Sequence, residues 1–301
     1  MSSYEKVALL GKGLLGSVVL EELVNAGFSV TVLSRNPAAI KDLPFGVKTH
    51  QVDYSSEDSV VEALRGNDVA VATFGSGAIM GQEPIIEACI KAGVKRYIPA
   101  DWGSVTTDPE ARTLPINYPL VQVQESLKKK AEASLLEYTI FSVGAFLDVL
   151  LDFPFILDIN TSSIQVFDNG EHGFSTTSLH NIGKAVAGAL NAPEETKNRN
   201  LFIHDTVLTQ AKVLAIAKKY SPPTVQWTET KVDGQKELET SLENFSKDPT
   251  DFNLIFPLLK AAMLSGKYRA AYPKVDNELV GIPLLTDEEL EKKFAPKFQR
   301  A

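Results

Sequence analysis

The chain has 301 residues, 44% of them hydrophobic, and a formal net charge of −8. That length gives core enough for one large domain or two smaller ones, and the acidic balance argues against nucleic acid as the main partner. Cys89 is the sole cysteine, which excludes a disulfide framework and a cysteine zinc site within the chain; no metal is expected.

The first half alternates short apolar runs with helical patterns. "KVALLG" ends in glycine and reads as a strand. "LLGSVVLEELVNAG" then places Leu15, Val19, Leu23 and Ala26 on one helical face, with Gly27 as the stop. "FSVTVLSR" and "GVKTHQVD" read as the second and third strands. "SSEDSVVEALRGN" reads as a helix opened by a capping box of Ser55 with Asp58. "DVAVATFG" is the fourth strand, "EPIIEACIKAG" a helix with Pro84 near its start, and "VKRYIPA" the fifth strand. "QESLKKKAEASL" is a helix and "EYTIFSVG" the sixth strand. Strands alternating with helices predict right-handed crossovers and a parallel sheet covered on both faces.

The second half is less regular. The longest apolar region, residues 146–159, is broken by Asp148, Asp152 and Asp158, so no segment reaches the length of a membrane span. "FSTTSLHNIGKAVAGAL" reads as a turn leading into a helix and "NLFIHD" as a strand. The expected architecture is α/β: a Rossmann-type, doubly wound parallel sheet in residues 1–150, rejoined by residues 172–206, with a smaller substrate-binding lobe within 151–301. Pro222 and Pro223 punctuate that lobe without marking a linker. "MSSYEKVALL" lacks the basic and then apolar pattern of a secretory signal, and a cytoplasmic protein, monomer or homodimer, is the expectation.

The glycines Gly11, Gly13 and Gly16 stand in the pattern G-x-G-x-x-G, after a strand and at the opening of a helix. In that context the pattern predicts a dinucleotide loop. Gly11 permits the tight turn, Gly13 lets the backbone approach a pyrophosphate, and Gly16 lets helix and strand pack closely. The first helical residues, Leu14, Leu15 and Gly16, offer unpaired N–H groups to the anion. The end of the second strand selects the cofactor. NAD sites place an acidic residue there, whereas this chain has Ser34, Arg35 and Asn36, with Arg35 nineteen positions after Gly16. A guanidinium grips a 2′-phosphate and stacks on adenine, so NADP(H) is favoured, with Lys41 as a second charge. The alternative for Arg35 is an exposed loop arginine. Asp53 is placed near adenine or, alternatively, as a helix cap. Asn36, Phe74 and Gly75 complete the expected cofactor-binding residues of this half.

The opening loop, Arg35 and above all "GQEPIIEACIKAGVKRYIPADWGS" resemble the NmrA-like and isoflavone-reductase-like atypical short-chain dehydrogenases, especially their fungal members. That family has a Gln leading a helix, here Gln82, and then A-G-V-K-R-F-I-P-S-E-F-G, here Ala92 to Gly103. "FSTTSLHNIGKAV" is similar to the family's later D-I-G helix start, with Asn181, Ile182 and Gly183. The family's first loop is usually G-x-x-G-x-x-G; here Leu10 takes the first position, while Gly13 and Gly16 match. The resemblance implies NADP(H) as cofactor, and it places "VGAF", with Gly144 and Phe146, at the nicotinamide, near the loop of Asp101 and Trp102.

The chemistry departs from the family. Its reductases carry a lysine fifteen residues before the Thr of a Y-T-Y-type strand. Here that Thr is Thr139 and the earlier position is Gln124. An amide hydrogen-bonds but does not titrate near neutral pH. Tyr118 has Gln122 four positions on, so the Tyr-x-x-x-Lys pair is absent too. Lys128 lies one helical turn after Gln124 and is the candidate replacement acid, with a solvated "KKK" face as the alternative. His172 and His180 are further possible proton donors. Two functions compete: an NADPH-dependent reductase of a small aromatic or enone-type molecule, and a non-catalytic NADP-binding regulator of the NmrA kind. An empty structural domain is the third reading.

Overall fold

The computed structural model describes residues 4–75, 81–103, 106 and 108–299. Runs of Val, Ala and Leu form the central strands β1 (Lys6–Leu10), β2 (Ser29–Ser34), β3 (Lys48–Gln51), β4 (Val69–Ala72), β5 (Arg96–Ile98) and β6 (Glu137–Ser142). Helices α1 (Leu14–Asn25), α2 (Glu57–Leu64), α3 (Gln82–Ala92) and α4 (Tyr118–Glu132) lie between them. The chain continues through β7 (Ala145–Phe146), β8 (Ser163–Phe167), β9 (Phe174–Thr177), α5 (Leu179–Asn191), α6 (Pro193–Thr196), β10 (Arg199–Phe202) and β11 (Thr206–Leu208). It ends with α7 (Gln210–Tyr220), β12 (Thr228–Val232), α8 (Gly234–Lys247), α9 (Ile255–Leu264) and α10 (Asp287–Phe298).

Seven strands form one sheet in the order β10-β6-β5-β4-β1-β2-β3, every neighbouring pair parallel. A parallel sheet must be covered on both faces, and β4 is accordingly buried at all four residues. Leu9, Val19, Ile182 and Val186 pack on one face, beneath α1 and α5. Leu10, Leu64, Ile86 and Leu127 pack on the other, beneath α2, α3 and α4. The order reverses between β1 and β4, leaving a crevice beyond their carboxyl ends, where dinucleotides bind in such sheets.

The remaining elements build a second core from residues such as Phe167, Phe174, Leu214, Leu258 and Phe298. β9 pairs with β7 in parallel and with β11 antiparallel, and β8 pairs with β12. Val280 and Ile282, far along the chain, pack back into the core of the large sheet. Among the described residues no helix is long and apolar enough to cross a membrane.

Three local expectations need correction. The cap of α2 is Ser56, which accepts from the Ser59 N–H; Ser55 is taken instead by the Asp53 carboxylate, through both its N–H and its hydroxyl. Helix α4 starts at Tyr118, six residues before Gln124. Pro119 in its first turn has the right φ and lacks only an N–H that would have no helical acceptor. Residues 174–177 form a wholly buried strand rather than a turn.

Candidate cofactor site

The glycine loop leaves β1 and turns into α1 with Gly11 at φ +105°. A Cβ on Gly11 would stand 3.1 Å from the Thr73 carbonyl oxygen, and one on Gly16 only 2.2 Å from the Gly11 carbonyl oxygen. Gly16 therefore excludes a side chain for packing reasons, and Gly11 disfavours one through its positive φ and a tight contact. Gly13 differs: a Cβ there would meet nothing within 4 Å. It is the N-cap of α1 and no side chain caps that helix, so the N–H groups of Leu14, Leu15 and Gly16 face an open cradle of the kind that receives a pyrophosphate. Leu15 and Gly16 are buried against the sheet, while Leu14 is exposed. Thr73, which the sequence reading missed, holds the turn by donating its hydroxyl to the Gly11 carbonyl at 2.8 Å.

Beside this cradle, at the end of β2, lies a cleft of about 500 Å³ lined by Lys12, Ser34, Arg35, Asn36 and residues 39–42. The structure thus brings Arg35, Asn36 and Lys41 to one place and adds Lys12, whose ammonium donates to the Lys41 carbonyl at 3.1 Å. A cation inside the glycine pattern was the signal for Lys12 in the sequence. Among the described residues Lys12, Arg35 and Lys41 have no carboxylate partner, whereas Lys91, Lys130, Lys219 and Lys297 are each paired. Asp53 does not line this cleft. It is exposed and accepts from Ser55, and those bonds hold its carboxyl below the usual range. Phe74, just after β4, packs edge-on against Tyr54 at 5.6 Å, and Gly75 beside it is exposed.

Further along the carboxyl edge of the sheet, Gly144 is buried at φ +68°, with the Ser175 carbonyl oxygen 2.0 Å from where a Cβ would be. Its N–H donates to the Tyr272 hydroxyl at 3.0 Å, which ties this segment to a residue from the far end of the chain. Phe146 follows in β7, half-buried. Trp102 stacks on Phe141 at 5.6 Å and donates to the Ala72 carbonyl.

Gln124 is buried and its amide is committed. It donates to Asp101 at 2.6 Å and accepts from Arg112 at 3.3 Å. Asp101, 1% exposed, also accepts from the Thr106 hydroxyl at 3.0 Å. Burial pushes the Asp101 carboxyl above its ordinary value, against the lowering effect of the Gln124, Thr106 and Gly103 donors. Lys128 does not share this environment. It is exposed, whereas Val123, Gln124 and Leu127 form the buried face of α4. The expectation that Gln124 and Lys128 point the same way is corrected accordingly: a spacing of four residues advances about 400° around a helix, and the buried stripe of α4 is too narrow to include both. His172 and His180 face Asp168 and Glu22 in partly exposed pairs.

This geometry defines a nucleotide-binding α/β protein, with its anion cradle and a cationic cleft at the crevice of a doubly wound sheet. The comparisons with known proteins agree. A family model described as NAD(P)H-binding matches residues 11–193. Oxidoreductase aprR of Aspergillus flavus is 34% identical over 223 residues, covering 73% of this chain and 74% of that protein. The crystal structure of an isoflavone reductase superposes with a TM-score of 0.76 at 19% identity, covering 97% of this chain and all of the other (100%). The NADPH complex of quinone oxidoreductase QOR2 from Escherichia coli does so with 0.72 at 19% identity, covering 97% and 100%. The chain belongs to the NAD(P)H-binding family, among its NmrA-like and isoflavone-reductase-like members.

Proposed function

We propose that the protein is an NADPH-dependent reductase of a small aromatic or enone-type molecule. The observation that carries the cofactor choice is the cleft at the end of β2, which gathers Lys12, Arg35 and Lys41, none of them with a carboxylate partner among the described residues, in an acidic chain. The residues present fit a dinucleotide phosphate: Gly13 leaves the cradle open, and the N–H groups of Leu14, Leu15 and Gly16 would hold the pyrophosphate. Arg35 and Asn36 would hold the adenosine end, with Phe74 and Gly75 next along the crevice, and Gly144 and Phe146 bordering the nicotinamide. When bound, the cofactor supplies the hydride, and the protein supplies binding and orientation. The substrate class rests on the similar proteins: isoflavones and quinones are both conjugated carbonyl compounds. The second lobe, with its own core, is the wall against which such a molecule would be oriented.

In this reading the proton comes from solvent, because Gln124 is committed to Asp101 and Arg112 and Lys128 is exposed, off the buried face of α4. The buried, doubly bonded Gln124 favours a second reading, a regulator that binds NADP(H) without turnover. One paired experiment separates them: NADPH binding is measured by fluorescence, and NADPH oxidation is then followed with aromatic enones and quinones. Binding with oxidation supports the reductase; saturable binding without oxidation across the panel supports the regulator.

A further inference from the structure

With the adenosine end in the cleft on the β2 side of the glycine loop, the other half of a dinucleotide would run the opposite way, past the carboxyl ends of β4, β5 and β6. The chain leaving β6 lies along that edge. Its Val143 N–H donates to the Gly103 carbonyl, in the loop after β5, at 3.3 Å, and Gly144 turns it at φ +68° into β7. The peptide plane between Val143 and Gly144 is pinned at both ends by hydroxyls. Its carbonyl accepts from Thr177, the last residue of β9, and its N–H donates to Tyr272 at 3.0 Å. Thr177 belongs to the strand paired with β7, but Tyr272 comes from the segment after α9. Tyr272 is itself fixed. Its N–H donates to the Ser175 hydroxyl oxygen at 3.0 Å, its ring meets Phe202 edge-on at 5.1 Å, and its hydroxyl also bonds the Ser142 side chain. Burial raises its pKa, so the hydroxyl stays protonated and offers Gly144 a neutral acceptor.

We propose that Tyr272 is a positioning residue for the nicotinamide half of the cofactor: by holding the Gly144 N–H it fixes the turn that sets Gly144 and Phe146 along the crevice, so that the end of the chain governs one half of the dinucleotide and leaves the other alone. The proposal rests on reading the Gly144–Phe146 segment as the nicotinamide border. Gly144 is where such control is needed. Glycine takes a left-handed backbone at no steric cost but also leaves it most freely, and the Ser175 carbonyl oxygen, 2.0 Å from where a Cβ would be, rules out a stiffer residue. The rigidity that a side chain cannot supply comes instead from a hydrogen bond across 128 positions. Without the hydroxyl, the Gly144 N–H becomes a buried donor that has lost its acceptor, a cost that favours rotation of the peptide. The turn is then in its binding shape for only a fraction of the time, and affinity falls by that fraction. The glycine loop and the β2 cleft are built on other elements and do not feel the change.

The test is equilibrium titration of the full chain and of Tyr272→Phe with NADPH and with adenosine 2′,5′-bisphosphate, which has the adenosine end and lacks the nicotinamide half. Phe keeps the buried ring and removes the hydroxyl alone. The expected result is that Tyr272→Phe weakens NADPH by about five- to tenfold and leaves the bisphosphate within about twofold of the native value. Thr177→Val, which releases the other end of the same peptide plane at nearly constant volume, should show the same split, and it decides the matter if Tyr272→Phe does not fold. Equal weakening of both ligands would mean that the hydroxyl serves the fold at large, and would overturn the proposal while the site reading stands. No change in either ligand would overturn it in the same way. A native protein that binds the bisphosphate as tightly as NADPH would instead remove the reading of the Gly144 segment as the nicotinamide border, and one that binds neither would remove the cofactor site itself.

Discussion

At the residue scale, cofactor choice and the replaced lysine are separate questions with separate tests. Arg35 is exposed and its guanidinium has no carboxylate partner among the described residues, so its removal costs the fold little. Arg35→Ala should cost NADPH binding about 1.5–3 kcal/mol, the range for hydrogen bonds to charged groups, and leave NADH almost unchanged; calorimetric titration checks it. Asp101 gives a pH-dependent prediction. Burial raises its folded pKa above the ordinary 3.8, so between the two values the folded state holds a proton that the unfolded state has lost. The contribution of Asp101 to stability is therefore greatest at low pH and is lost as pH rises through the folded pKa. Asp101→Asn keeps an acceptor for Gln124 and cannot ionise. Its melting temperature should rise relative to the native protein as pH increases above the ordinary carboxyl value of 3.8, and a constant gap would contradict the assignment. The cationic cleft was half legible in the sequence, because Arg35 and Lys41 follow a predicted strand end. Lys12 was hidden by its position in a pattern read for its glycines. The Asp101–Gln124–Arg112 chain was not legible, since no sequence spacing says which buried polar groups face one another.

At the element scale, the motif residues of the family prove to have packing duties. Gln82, at the start of α3, accepts from the Tyr97 hydroxyl and the Ala100 N–H, fixing the turn after β5. Arg96 is fully buried, bonded to Glu137, Thr196 and the Pro193 carbonyl, and so locks β5 and β6 to α6. Gly183 marks the closest approach of α5 to α1: a Cβ would sit 2.9 Å from the Glu22 Cγ and 3.0 Å from the Val18 carbonyl oxygen. Gly183→Leu should therefore force the helices apart and destabilise the protein by about 1–3 kcal/mol, the usual cost of overpacking, measured by urea denaturation. An unchanged midpoint would show that the helices can yield. The strands and helices of the first half were legible because strand runs and helical faces alternate cleanly there. Residues 174–177 were not, because a fully buried strand of Phe, Ser and Thr has neither period-two alternation nor a long apolar run. Only its pairing with β7 and β11 makes it a strand.

At the scale of the whole molecule, the sheet supplies the cofactor crevice and the later part of the chain closes over its edge. Tyr272 receives the Gly144 N–H, and its own N–H donates to the Ser175 hydroxyl, which also meets His204. A residue near the end of the chain is thereby joined to the segment proposed to border the nicotinamide. No local pattern foretells a contact between residues 128 positions apart, which is why the second lobe was visible in the sequence only as an irregular remainder. A molecule built in this way has a crevice fit for a dinucleotide, while the position of the family lysine is filled by an amide already engaged on both sides. The direct measurement is the oxidation of protein-bound NADPH, followed by its nicotinamide absorbance, in the presence of aromatic enones and quinones. The account predicts that NADPH is consumed with at least one of them, in proportion to the amount of protein. Saturable binding of NADPH with no consumption above the protein-free rate would contradict it.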